Sequence, residues 1–162
     1  MTLYKDLKKE NLQDELPSVH YVLPNGQPHI TTTIERIHDL SEIPSPYLNG
    51  LLDAFFDGPF IPILETNRSC PYRCTFCYHP HGNKFRERNL DDFFAEMTHL
   101  QNKYDIKYIS MADELWSPVV KRATEFCIKM KDQNISWYAD MRVDRIKPEL
   151  IPHLKASGLD VV

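Results

Sequence analysis

The spacing of apolar positions changes character near residue 60. Upstream, residues 1–18 are a charged stretch whose apolar points are Leu3, Leu7, Leu12 and Leu16. Leu3 and Leu7 would share a helix face, but Asn11–Glu15 is polar and Pro17 closes the segment. Val19–Leu23 and Ile30–Ile34 are β-rich runs flanking Pro24-Asn25-Gly26-Gln27. Asn-Gly tolerates the positive φ angles of a tight turn, so a hairpin is expected. Ile43-Pro44-Ser45-Pro46-Tyr47 reads as extended, because each proline discourages helix at the residue before it. Leu48–Phe56 reads as a short helix stopped by Asp57-Gly58-Pro59.

From residue 60 the pattern alternates between strand and helix. Phe60–Glu65 is an apolar run, the first expected strand. Asn89 is placed to cap a helix whose Leu90, Phe93, Phe94, Met97, Leu100 and Tyr104 follow the 3.6-residue period. Ile106–Met111 is the second strand. Ser117-Pro118 should open a second helix with Val120, Ala123, Cys127 and Met130 buried. Ile135–Met141 is the third strand, Pro148–Ala156 a third helix, and Gly158 its left-handed stop. Leu159–Val162 begins a fourth strand. Such alternation predicts an α/β fold with a parallel sheet and right-handed crossovers. The expected division is a linker region with a β-hairpin over 1–59 and an incomplete barrel core over 60–162, about three and a half βα units. A closed eight-unit barrel takes ~250 residues, so the chain reads as the N-terminal part of a larger one.

Composition adds exclusions. The 162 residues are 42% hydrophobic and 26% charged, with a formal net charge of −4, as in ordinary globular domains. No apolar run approaches the ~18 residues of a membrane span. Met1–Asp6 carries charges where a signal peptide would be apolar, so a cytoplasmic location is expected. Lys84, Arg86 and Arg88 are interrupted by Glu87 and lack an aromatic platform, so they read as a solvated face and no nucleic-acid partner is expected.

Of four cysteines, Cys70, Cys74 and Cys77 lie within eight positions, whereas Cys127 falls on a helix's buried stripe and reads as a core thiol. Crowded thiols in a chain without a signal peptide read as ligands kept reduced. Cys70-Pro71-Tyr72-Arg73-Cys74-Thr75-Phe76-Cys77 has the spacing C-x3-C-x2-C. Three thiolates can hold three irons of a 4Fe–4S cube and leave the fourth open to a ligand. A zinc- or iron–sulfur-binding structural or electron-transfer module is the alternative. In the zinc case His79 or His81 would be the fourth ligand, although structural zinc usually draws on two separated ligand pairs.

This loop resembles the signature of the radical S-adenosylmethionine (SAM) superfamily. Ile43–Leu48 and Ile63–Pro71 resemble its cobalamin-binding subgroup. The resemblance implies a partial TIM-type barrel, a 4Fe–4S cluster on Cys70, Cys74 and Cys77, and SAM chelating the open iron. It implies reductive cleavage of SAM to a 5′-deoxyadenosyl radical, fed by a reductant such as flavodoxin or ferredoxin. Phe76 would lie against the adenine. Asp113 or Glu114, in Met111-Ala112-Asp113-Glu114-Leu115-Trp116, would receive the amino group of SAM. Arg142 and Asp144, past the third strand, would meet SAM or substrate, or else close the strand end as a salt bridge. Ser69 stands where the family usually has glycine. Cobalamin is a candidate cofactor of a full-length parent only, since residues 1–60 lack the usual aspartate–histidine–glycine signature. Neither a catalytic residue nor the small-molecule or modified-biomolecule substrate is assigned.

Overall fold

The computed structural model describes residues 17–78 and 84–162. The expected helix face of Leu3 and Leu7, and the histidines at 79 and 81, lie outside these. Two compact units divide at residue 38/39. In the first, strands β1 (Tyr21–Val22) and β2 (Pro28–His29) pair antiparallel, Tyr21 opposite His29. Gly26 takes φ +81° in the connecting turn, and Asn25 Oδ1 accepts from the Gln27 amide. The hairpin is thus where Asn-Gly places it. Its second strand starts two residues before the β-rich run, because the turn and not the run sets the register.

In the second unit, Leu48–Phe56 forms turns and a 3-10 helix, Asp53–Phe55, instead of an α-helix. Gly50 at φ +76° breaks the helical path. Four short strands then form a parallel sheet in the order β3 (Ile63–Leu64), β6 (Tyr108–Met111), β7 (Ser136–Tyr138), β8 (Leu159–Val161). Helices α1 (Leu90–Tyr104), α2 (Val120–Met130) and α3 (Ile151–Ala156) connect consecutive strands of that sheet. The parallel arrangement and the alternation agree with the expectation for a partial α/β barrel.

Asn89 caps α1 by accepting from the Asp91 amide, and Asp105 closes it in the left-handed conformation. The second helix begins later than Ser117-Pro118 suggests. Ser117 sits at φ +36° and its hydroxyl donates to the Val119 carbonyl, so Val119 precedes the first helical residue without a side-chain cap. Likewise α3 is preceded by turns from Pro148, and a 3-10 helix occupies Val143–Arg145.

One face of the sheet carries the core. Leu64, Ile109, Met111 and Trp137 meet Phe93, Met97, Leu100, Phe126 and Met130 from the helices. Trp116, Phe126 and Trp137 pack ring to ring at 4.8–5.2 Å between centroids. Each aromatic contact of this kind contributes about 0.5–1.5 kcal/mol beyond its buried area. Cys127 is buried in this core, and burial pushes its thiol up to about 11, as expected of an inert core thiol.

Gly158 joins α3 to β8 at φ +84°, where an added Cβ would stand 2.4 Å from the Ile135 carbonyl oxygen. Its backbone carbonyl also accepts from Trp137 N–H. A Gly158→Ala chain is expected to lose about 1–3 kcal/mol from left-handed strain, with the clash adding to it. Urea unfolding followed by tryptophan fluorescence measures this, since both tryptophans lie in the core.

Candidate functional site

Parallel strands bring their C-terminal ends to one edge, and the loops leaving β3, β6 and β7 meet there. The loop from β3 carries the cysteines. It is not launched directly from the sheet. Strand β4 (Asn67–Arg68) pairs antiparallel with β5 (Arg86–Glu87), so the cysteine segment is closed at its base by a two-stranded clamp. No hydrophobic alternation marks either strand, and sequence reasoning missed both.

The clamp is gripped from two sides. Asp113, in the loop after β6, is buried. Its Oδ1 accepts from the amides of Thr66 (2.7 Å) and Asn67 (3.1 Å). Its Oδ2 accepts from the Thr66 hydroxyl and from Asn67 Nδ2, the latter at 3.0 Å. Burial pushes the Asp113 carboxyl up to about 6 against the opposing pull of these hydrogen bonds. Arg122 on α2 takes the carbonyls: its Nη2 donates to Thr66 O (3.1 Å) and Arg88 O (2.5 Å), and its Nε faces Glu87 (3.4 Å). A carboxylate for the donors and a guanidinium for the acceptors leave the turn at 66–67 nearly fully satisfied. Asn67 Oδ1 is the exception, a buried acceptor with no partner among the described residues.

Arg88 corrects the solvated-face reading of the basic run. Its Nη1 lies 2.5 Å from Glu96 on α1, and both side chains are largely buried. Glu96 is a charged residue on a helix's inward side, and the apolar period gave no sign of it. The guanidinium explains its burial, since a buried carboxylate needs such a partner.

Ser69 follows the clamp at φ +71° and is buried. That backbone region favours glycine, which explains why glycine suits this position in the family the loop resembles. Beyond it, Cys70, Cys74 and Cys77 are free, partly exposed thiols, and the Cys77 amide donates to the Cys74 carbonyl at 3.1 Å. Phe76 is 91% exposed, an aromatic face presented to solvent beside the thiols. Among the described residues no three His, Cys, Asp or Glu side chains stand close enough to hold one metal ion. A 4Fe–4S cube takes each thiolate on a different iron, so its donors need not converge on one point. Three soft sulfur donors with an arginine nearby suit such an anionic cluster in their chemistry.

That arginine is Arg142, in the loop after β7. It forms the salt bridge with Asp144 (Nε to Oδ1, 2.9 Å), which holds the Asp144 carboxyl below the usual range. Its Cζ also lies over the Tyr72 ring, 4.1 Å from the centroid, and its Nη1 reaches Cys74 Sγ at 3.8 Å. Of the two acids after β6, Asp113 is enclosed by the clamp, whereas Glu114 is exposed. The structure therefore brings Asp113 to the root of the cysteine loop and Arg142 to its middle.

Fold and site together define the class: a partial parallel α/β barrel with a cysteine loop at its C-terminal edge. Comparison with known proteins supports the fold. The chain superposes on the cobalamin-dependent SAM radical enzyme OxsB, solved with aqua-cobalamin and SAM bound, with a TM-score of 0.72 and 24% identity over 99% of this chain. It covers 25% of that chain. An uncharacterized methyltransferase of Pyrococcus horikoshii, PH0819, is 29% identical over 132 residues, 78% of this chain and 29% of the relative. The cobalamin-dependent radical SAM methyltransferase TokK of Streptomyces tokunonensis is 41% identical over 49 residues, 26% of this chain and 7% of that protein. No family model matches the chain. The chain's relatives are thus methyltransferases that include cobalamin-dependent radical SAM enzymes, as the cysteine loop suggests. The chain spans less than a third of the length of PH0819. Among the described residues no helix is long and apolar enough to cross a membrane.

Proposed function

We propose that this chain is the cluster-binding part of a radical SAM methyltransferase. The observation that carries this reading is a C-x3-C-x2-C loop clamped at the C-terminal edge of a parallel sheet, with the loops after β6 and β7 beside it. Cys70, Cys74 and Cys77 would hold a 4Fe–4S cluster. Bound together, cluster and SAM would supply one-electron cleavage of a carbon–sulfur bond, giving methionine and a 5′-deoxyadenosyl radical. The chain's own residues bind and orient. Exposed Phe76 offers its face to the adenine. Glu114, exposed in the loop after β6, would receive the ammonium group of SAM, while the buried Asp113 holds the clamp. Cobalamin, as in the names of TokK and OxsB, would be the methyl carrier of the whole protein.

Anaerobic reconstitution tests the reading, with about four iron and four sulfide per chain expected. Stoichiometric zinc without sulfide would point to a structural zinc module instead. In the cluster-loaded chain, Glu114→Gln should weaken SAM binding about tenfold by equilibrium dialysis, or ~1.4 kcal/mol. Unchanged affinity would remove Glu114 from the site. In the full-length protein, dithionite and SAM should yield 5′-deoxyadenosine, and SAM left intact would argue for electron transfer alone.

A further inference from the structure

The guanidinium of Arg142 has every nitrogen directed. Nε and Nη2 lie 2.9 and 3.3 Å from the two Asp144 oxygens, and Nη1 lies 3.8 Å from Cys74 Sγ. Its Cζ lies over the ring of Tyr72, two residues before Cys74, at 4.1 Å from the centroid, and Arg145 stands over the same ring at 5.4 Å. Arg145 also shares Asp144, at 3.8 Å. Two cations and one anion therefore face the middle of the cysteine loop from the end of β7. A salt bridge alone would not need this reach: the sulfur and the ring sit on the far loop, 68 and 70 residues back in sequence.

We propose that Arg142 sets the reduction potential of the cluster, acting on Cys74 Sγ, and that Asp144 moderates it. The inference rests on the proposed cluster. A one-electron reduction adds negative charge to cluster and thiolates. A cation donating to a ligand sulfur stabilises that added charge and makes the cluster easier to reduce. Arginine suits the task because it stays charged and its planar fork can hold a carboxylate, a sulfur and an aromatic face together. Asp144 fixes the fork and offsets part of its charge. Arg142 is on this account a tuning residue that acts through Cys74.

The test is a redox titration of the reconstituted chain with graded dithionite and mediators, read by visible absorption and by the electron paramagnetic resonance of the reduced cluster. At a fixed potential, Arg142→Gln should lower the ratio of reduced to oxidised cluster at least threefold, about 28 mV for one electron. Asp144→Asn should raise that ratio, and Arg142→Lys should fall between Arg142→Gln and the unchanged chain. A purely structural latch would move both the glutamine and asparagine variants in the same direction, with iron content falling alike. Opposite shifts support the proposal. Same-sign or sub-threefold shifts in a loaded cluster overturn it and leave the cluster assignment standing. Should Arg142→Gln fail to load, Asp144→Asn still decides by its sign. An unmutated chain that takes up no iron and sulfide overturns the cluster assignment itself, and this inference with it.

Discussion

A Cys74→Ala chain is expected to fold normally and to lose its capacity for a stoichiometric cluster. Cys74 is partly exposed on the cysteine loop and contributes little to the core, so truncation there should change stability by less than about 0.5 kcal/mol. Cluster retention is another matter. Each of three thiolates would cover one iron, and removing one uncovers a second corner to solvent and oxidant. Iron and sulfide after anaerobic reconstitution should drop from about four each to well below one, and the broad visible absorption should collapse. Cys127→Ala is the matched control. Its thiol lies in the core with its ionisation pushed up to about 11, a poor source of the thiolate that binds metal. That variant should keep full iron and sulfide yet lose about 1 kcal/mol from the small cavity left behind. Equal iron in the two variants would refute the assignment of the ligands.

Asp113→Ala should produce the largest loss of stability of any single change at the site, about 3 kcal/mol. Two amides, a hydroxyl and a carboxamide would lose their acceptor in a place that water reaches poorly, at about 1 kcal/mol or more apiece. Relief of the carboxylate's own burial returns part of that. Because the turn at 66–67 launches the cysteine loop, cluster loading should fall as well, although the four hydrogen bonds of Asp113 go to Thr66 and Asn67. Asp113 also gives the chain a specific pH dependence. Its carboxyl ionises at about 6 when folded, against 3.8 as an ordinary aspartate. The folded state therefore keeps the proton longer than the unfolded state. The resulting stability is fully present below 3.8, declines as pH rises toward 6, and is absent above it, a swing on the order of 3 kcal/mol. Asp113→Asn should flatten that interval. Urea unfolding between pH 4 and 7 tests the sign, and a stability from Asp113 that rises with pH would contradict it.

Much of the architecture is legible in one dimension. The 3.6-residue period of Leu90, Phe93, Met97 and Leu100 and the cap at Asn89 fix α1, because burial of one face and one missing hydrogen-bond partner are local matters. Alternation of elements determined the parallel sheet, since crossovers of that length admit little else. Spacing alone singled out the three cysteines as candidate ligands, because C-x3-C-x2-C is a local pattern that can be read without the fold.

Only the tertiary structure decided how that loop is held. Thr66 and Asp113 are 47 residues apart, Arg122 and Thr66 are 56 apart, and Arg142 and Cys74 are 68 apart. A hydrogen bond between such partners leaves no periodic trace, because each residue alone is an ordinary polar side chain. The same reason hid the burial of Glu96, whose partner Arg88 lies before its helix. It also separated Asp113 from Glu114. Adjacent in sequence and alike in charge, they differ because one carboxylate turns into a nest of four donors and the other stays exposed.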